Sequence, residues 1–475
     1  MTPPAFPSTP GVQTLAFVFL GVYLAAVLAV GFFWRRRAGR DEISYFVADR
    51  SLTTFWGFLG LASLTTGGST TIVLAAYVYA HGVSGLWLDL AGALGLVALG
   101  LLLARRIRRE SAVTLPEIVG RYYGGGARRA AAALVLVSEI VWFALLVEAT
   151  QTVLTAALRV PPLPALLAST AVFLAYTSLG GQFAVARTDL VQYGAMLVAI
   201  PGAALYFALA GAKGLGGLPP EAWSFPLSRD VRAGDVLALL VLIGLPHLVG
   251  SDVYAKVLSC RDEATARRSA LLAAVSKVVF GFSVAAIALA ARKALPPVDP
   301  SNALPAAVLG FAPPAAAALI SVGLVATMQT SADIVLLSAC AVTVRDLFPG
   351  AVAGRSGVRA ARWLAPIYGA VGLLVALSLR RDVIETLKLG YSIFAAGIIL
   401  PVLAALVPGR PAVPAQGAIT AMIAGGATAA AGRLFPGWTH GVDPVLLGTG
   451  VNFLVLVASF AGSRVSRLTS RVSRA

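Results

Sequence analysis

Apolar runs of about twenty residues recur along the whole chain, each long enough to cross a hydrocarbon core of about 30 Å as a helix. The pattern predicts thirteen spans, at roughly 12–34, 54–80, 83–104, 129–158, 163–181, 187–211, 235–252, 268–291, 315–343, 361–379, 382–407, 415–432 and 443–463. The remaining stretches are too short for a sizeable soluble domain.

Two spans break the apolar pattern in the middle. Span two reads Ala62-Ser-Leu-Thr-Thr-Gly-Gly-Ser-Thr-Thr71, with a glycine pair and six hydroxyl residues where a bilayer is most apolar. Span seven reads Gly244-Leu-Pro-His-Leu-Val-Gly-Ser-Asp252. Non-helical backbone at membrane depth is tolerated only where protein or a water-filled cavity satisfies it. Both spans are therefore expected to be broken helices at a binding site. If spans two to eleven form two repeats of five, the breaks occupy the first helix of each repeat, and paired interruptions of this kind point to a transporter's binding site. An odd number of helices per repeat makes the repeats inverted. The expected organisation is an extra span at 1–40, repeats at 41–212 and 213–409, two peripheral spans at 410–463 and a basic tail at 464–475.

Composition agrees with an all-α polytopic membrane protein. Of 475 residues 58% are hydrophobic and 12% charged, with a mean hydropathy of +0.85, whereas soluble domains are about a quarter charged. The net charge of +16 argues less for nucleic acid than for topology, because the basic residues cluster beside the spans. Alternate connections carry them: Arg35 to Arg40, Arg105 to Arg129, Arg187, Lys256 to Arg268, Arg345 to Arg362, Arg410 and the tail from Arg464. The positive-inside rule puts these in the cytoplasm, with the N-terminus outside and the C-terminus inside. The first run is followed, not preceded, by its arginines, the reverse of a secretory signal. In the tail, Arg464, Arg467, Arg471 and Arg474 suit either a short helix on anionic lipid or a disordered terminus. Two distant cysteines, Cys260 and Cys340, and three histidines exclude a disulfide framework and a His-rich metal site.

Span nine contains Val325-Ala-Thr-Met-Gln-Thr-Ser-Ala-Asp333, and the spacing i, i+3, i+4 puts Thr327, Thr330 and Ser331 on one helix face. Such hydroxyls can simply bond back to their own helix. They can also hold a dehydrated monovalent cation, provided a second element supplies further oxygens. The break in span two, with carbonyls released from helical pairing, is that element.

Several motifs then carry a resemblance. They are Asp41-Glu-Ile-Ser-Tyr-Phe-Val-Ala-Asp-Arg-Ser-Leu52 before span two, Thr114-Leu-Pro-Glu117 with Arg121-Tyr122 before span four, and Gly180-Gly-Gln-Phe-Ala-Val-Ala-Arg-Thr-Asp-Leu-Val-Gln192 into span six. Asp252-Val-Tyr-Ala-Lys-Val-Leu-Ser-Cys-Arg-Asp-Glu-Ala-Thr-Ala-Arg267 and Met328 to Asp346 complete the series. In this order, over about residues 40 to 350, the chain resembles the sodium:solute symporter family, which has a LeuT-like inverted-repeat core. The resemblance implies a Na⁺ site built from the carbonyls of Ser63 and Thr66, one span-nine carbonyl at Thr327, and the adjacent hydroxyls of Thr330 and Ser331. Gln329 departs from the family, which usually has Met before the hydroxyl pair. A register on Ala326-x-Met328 would place Gln329 and Thr330 there instead; the first register runs without gaps to Asp346 and keeps both hydroxyls. Asp189 matches the family's Thr-Asp motif, which implies a place on the ion-release path, although a carboxylate at a helix start is also a dipole partner.

The solute is expected between the two breaks, at Thr65, Gly67, Gly68 and His247. Glu148 and Gln151 of span four, at i and i+3, could share a face toward it, with a structural ion pair as the alternative for Glu148. Intramembrane acids mark pathways or relays by default, so Glu139, and less so Asp89, are further candidates. Asp252 and Lys256, at i and i+4, read as a structural pair; Lys277 and Lys388 as snorkelling or paired. The expected activity is Na⁺-coupled uptake of a small organic solute. A proton-coupled or uncoupled carrier using Glu148 or Glu139 is the alternative, and a membrane receptor a weaker one. No nucleophile–base pair or phosphate loop suggests an enzyme.

Overall fold

The computed structural model describes residues 9–38, 40–67, 69–209, 215, 217–350, 354–379, 383–406 and 413–472. Gly68, expected at the solute site, lies outside the described residues, as do residues 473–475 and the side chains of the basic tail from Arg464. The described chain is helical, with one isolated backbone bridge between Leu52 and Cys260.

Ten described stretches are long and apolar enough to cross a membrane, against thirteen expected. The difference has identifiable sources. Thr71–Arg109 runs the second half of span two and all of span three together, span five contributes only the shorter apolar helix Pro162–Leu174, and the Gly- and Ala-rich helix Ala415–Leu434 is not among the ten. The last helix continues to Val472, so the start of the basic tail extends a span rather than forming a separate element.

Spans five and six join within one helical run, Pro162–Leu209, at Gly181, whose φ of 52° lies in the left-handed region. A side chain there would be strained, and an added Cβ would lie 2.6 Å from the Tyr45 carbonyl oxygen, so glycine is required twice over.

Both expected breaks are present. In span two the helix Thr54–Thr65 stops at Thr66 and resumes with a wide turn at Ser69–Val73 and the helix Leu74–His81. Span seven differs in detail. Pro246 and His247 lie in helix Leu245–Val249, which follows a wide turn at Leu240–Gly244, and the chain leaves helical geometry at Gly250 (ψ 141°) before Ser251–Ser259. The wide turn absorbs the carbonyl that proline cannot bond, so the break falls four residues later than the proline suggests. The second half also runs to Ser259, beyond the expected end near 252.

Span nine, Pro314–Val342, is the axis of the bundle. Of its most apolar window, continued to Leu347, 94% is buried, against 22% in the first and last spans. The hydroxyl-bearing helix is thus surrounded by protein. Its lower end is tied down by charge: Asp346 is held by Arg128 at 2.6 Å and by the Thr114 hydroxyl at 2.7 Å, while Arg345 pairs with Glu42 at 2.8 Å. Glu117, beside them in the short helix Leu115–Tyr123, is pushed upward in pKa by partial burial. The Val113 N–H and the Arg121 and Arg345 guanidiniums outweigh that and hold it below the usual carboxylate range.

Candidate functional site

At the span-two break the carbonyls of Ser63 and Leu64 face span nine, that of Leu64 also accepting from the Gly67 N–H at 3.4 Å. The Thr330 hydroxyl donates to the Ser63 carbonyl at 3.1 Å and lies 3.0 Å from the Thr327 carbonyl of its own helix. The Ser331 hydroxyl donates to the Leu64 carbonyl at 3.3 Å. Back-bonding and bridging therefore coexist in Thr330. Thr71, on the far side of the break, adds a hydroxyl contact to Thr327 at 3.1 Å.

Gly67 marks the centre of this arrangement. A Cβ built there would lie 2.1 Å from Ser331 Oγ, 2.8 Å from the Thr327 carbonyl oxygen and 3.1 Å from that of Leu64. Neutral oxygens from two helices thus converge on a point that any side chain would fill. Such a donor set suits a hard monovalent cation, because carbonyl and hydroxyl dipoles replace hydration without adding a formal charge. Of the two span-two carbonyls expected, that of Ser63 meets the hydroxyls; the second to do so is Leu64, which sequence reasoning did not single out. The Thr66 hydroxyl, as distinct from the carbonyl expected at the site, donates to the Ala62 carbonyl at 2.6 Å. Gln329 points to the first span, where its side-chain oxygen accepts from the Tyr23 hydroxyl.

Asp189 is fully buried and bridges to this cluster: it accepts from the Ser63 hydroxyl at 3.0 Å and from the Lys256 ammonium at 2.7 Å. Lys256 therefore pairs with Asp189 and not, as the i, i+4 spacing suggests, with Asp252. The break at Gly250 swings the following helix so that Lys256 faces span six. Gln192 is also buried, one turn beyond Asp189. Asp89 makes a second buried pair, at 2.7 Å, with Lys277, whose ammonium also donates to the Thr65 carbonyl at the span-two break. Lys277 thus points inward rather than snorkelling. Lys388 pairs with Glu385 at 2.8 Å.

Two small adjoining cavities lie between the breaks. Leu64, Thr65, Pro246, His247, Asp252 and Val253 line the first; Glu139, Ser138, Gly250, Ser251 and Phe394 line the second, and Trp142, Pro246, Asp252 and Tyr391 belong to both. Thr65 and His247 fall where expected, His247 with its Nδ1 2.8 Å from the Ile243 carbonyl oxygen. Glu148 and Gln151 line neither cavity. The acid that span four presents is Glu139, nine residues earlier, beside Trp142 on the same face. Trp142, Tyr391 and Asp252 carried no signal in sequence periodicity, because each matters only through neighbours on other spans. Among the described residues no cluster of His, Cys, Asp and Glu suits a divalent metal.

Comparison with known proteins points the same way. Residues 45–218 match the model of the sodium:solute symporter family. The chain is thus similar to that family over its expected first repeat. Among curated relatives, a high-affinity choline transporter of Caenorhabditis elegans is 24% identical over 70% of the chain, which spans 63% of that transporter's length. The osmoregulated proline transporter of Bacillus subtilis is 24% identical over 96% of both chains. Among solved structures, a Na⁺-coupled sialic acid symporter superposes with a TM-score of 0.77 at 16% identity, covering 95% of this chain and 97% of that one. A nucleobase-cation-symport-1 family transporter superposes with a TM-score of 0.59 at 14% identity, covering 88% of this chain and 94% of that one. The fold is therefore LeuT-like, and the chain is that of a multi-pass membrane protein.

Proposed function

We propose that this protein couples inward movement of Na⁺ to uptake of a small organic solute by alternating access. The observation that carries the reading is the convergence of the Ser63, Leu64 and Thr327 carbonyls with the Thr330 and Ser331 hydroxyls around Gly67, an all-oxygen, uncharged site joining two helices. A cation there holds span two against span nine and favours the conformation in which both contribute ligands. Coupling is the difference in its affinity between conformations, since equal affinity shifts nothing. Gln329, turned to Tyr23, supports Thr330 and Ser331 as the hydroxyl pair.

The solute binds in the cavities between the breaks. Asp189, joined to Ser63 and Lys256, receives the ion on its way inward: its carboxylate is one side chain removed from the site, and its buried ammonium partner keeps it from trapping the cation. The repeats are residues 41–212 and 213–409, and the chain sits in a bacterial inner membrane with its N-terminus outside. The activity is that of a carrier and not of an enzyme.

Thr330→Ala and Ser331→Ala each remove one hydroxyl ligand while leaving the helix intact. Each is expected to weaken Na⁺ stimulation of radiolabelled solute uptake into proteoliposomes about tenfold or more, the loss of one strong oxygen contact of about 1.5–3 kcal/mol. Uptake indifferent to Na⁺ in the unmodified protein and unchanged in both variants sinks the sodium reading.

A further inference from the structure

The cavities between the breaks carry more charge information than the proposed coupling uses. Near them stand six charged side chains: Asp89, Glu139, Asp189, Asp252, Lys256 and Lys277. Two pairs neutralise themselves, Lys277 with Asp89 and Lys256 with Asp189, both at 2.7 Å and all four groups buried. Glu139 and Asp252 are left over. Both line the second cavity, and each is more than nine-tenths buried. Among the described residues no Lys or Arg stands within ion-pair distance of either. Glu139 has a hydrogen bond with the Ser338 side chain and lies within electrostatic reach of Asp252. Asp252 accepts from the Val253 N–H at 2.8 Å and borrows only part of the Lys256 charge from a distance.

Two carboxylates facing one small cavity repel, and burial magnifies the repulsion. A cation seated between them, or a proton shared by them, relieves it. The walls say what kind of cation. Trp142 and Tyr391 lie side by side, ring centroids 4.1 Å apart and planes tilted by 56°, and Phe394 closes the second cavity. Aromatic faces attract a bulky, weakly hydrated cation and offer a small, strongly hydrated one nothing to replace its water. The linings contain no Lys or Arg to receive an anionic group.

From this we infer that the solute is an organic cation, its ammonium head seated between Glu139 and Asp252 and packed on Trp142 and Tyr391. This rests on the proposed carrier reading and names its substrate class. Acids, sugars and zwitterions are disfavoured, because no Lys or Arg lines the cavity for a carboxylate and two acidic side chains face it.

The test uses the purified full-length protein in nanodiscs and four probes: choline, tetramethylammonium, the neutral choline isostere 3,3-dimethylbutan-1-ol, and glycine betaine. Choline and tetramethylammonium are expected to bind at least about tenfold more tightly than the neutral isostere or the betaine. This comparison needs no variant, so it survives if substitutions impair folding. Glu139→Gln and Asp252→Asn are each expected to weaken choline binding about tenfold and to leave the isostere unchanged.

Equal binding of choline and its isostere, or tighter binding of the betaine, overturns the inference. So does choline binding untouched by both variants together with uptake driven by a proton gradient and lost in Glu139→Gln, since the carboxylates would then share a proton. Failure of the coupling reading looks different. Choline uptake indifferent to Na⁺ leaves the cation site standing and removes sodium, whereas Na⁺-stimulated uptake of a neutral or acidic solute without choline binding removes the cation site and leaves the coupling.

Discussion

Lys277→Met is expected to destabilise the protein by about 3–5 kcal/mol, read as a lower thermal unfolding midpoint of the detergent-solubilised protein, and adding Asp89→Asn to restore most of the loss. The reasoning starts from burial. Both side chains are almost fully enclosed, Lys277 at 2% and Asp89 at 1% side-chain exposure, and their charges are 2.7 Å apart. Removing the ammonium leaves a carboxylate in a medium that cannot solvate it, and it also strips the Lys277 donor from the Thr65 carbonyl at the helix break. The double variant removes both charges and so avoids the first of these penalties. It still lacks the Lys277 bond to Thr65, which is why recovery is incomplete. Single and double variants that unfold within about 0.5 kcal/mol of the unmodified protein would show that this pair does not bear on stability.

Gly67→Ala is expected to abolish Na⁺ stimulation of uptake while lowering stability by only about 1–3 kcal/mol, the usual cost of overpacking. The new methyl group would sit 2.1 Å from Ser331 Oγ and 2.8 Å from the Thr327 carbonyl oxygen. The hydroxyl can rotate away, but it then leaves the cation site; the backbone carbonyl cannot move without shifting span nine, which is buried on all sides. Either response takes an oxygen out of position. Na⁺-dependent thermal stabilisation provides a readout independent of transport: it should be present in the unmodified protein and absent in Gly67→Ala. Full Na⁺ stabilisation in that variant would place the cation elsewhere.

Much of this was legible in the chain, for physical reasons that are local. Twenty-residue apolar runs have to be helices in lipid because their backbone groups have no other partners, so spans such as Pro314–Val342 and Val383–Leu406 could be placed within a few residues. Gly67 between hydroxyl residues and Pro246 ahead of Gly250 marked the two breaks, and the i, i+3, i+4 spacing put Thr327, Thr330 and Ser331 on one face. Those are properties of a single helix. Where pairing crosses between helices, local spacing misled. Asp252 and Lys256 are four residues apart and look like a pair, yet the turn at Gly250 carries Lys256 to Asp189. Glu148 and Gln151 share a face, yet it is Glu139 and Trp142 that meet the cavity.

What the sequence determined by itself is the membrane architecture, the two breaks and the hydroxyl face, because hydrophobic length, glycine and proline act through the backbone of the segment that contains them. What only the tertiary structure decided is which charges cancel and which are left facing the cavity. Six buried charges can be paired in several ways on paper. Coulomb energy between them depends on separations across five different spans, and those separations exist only once the helices have packed.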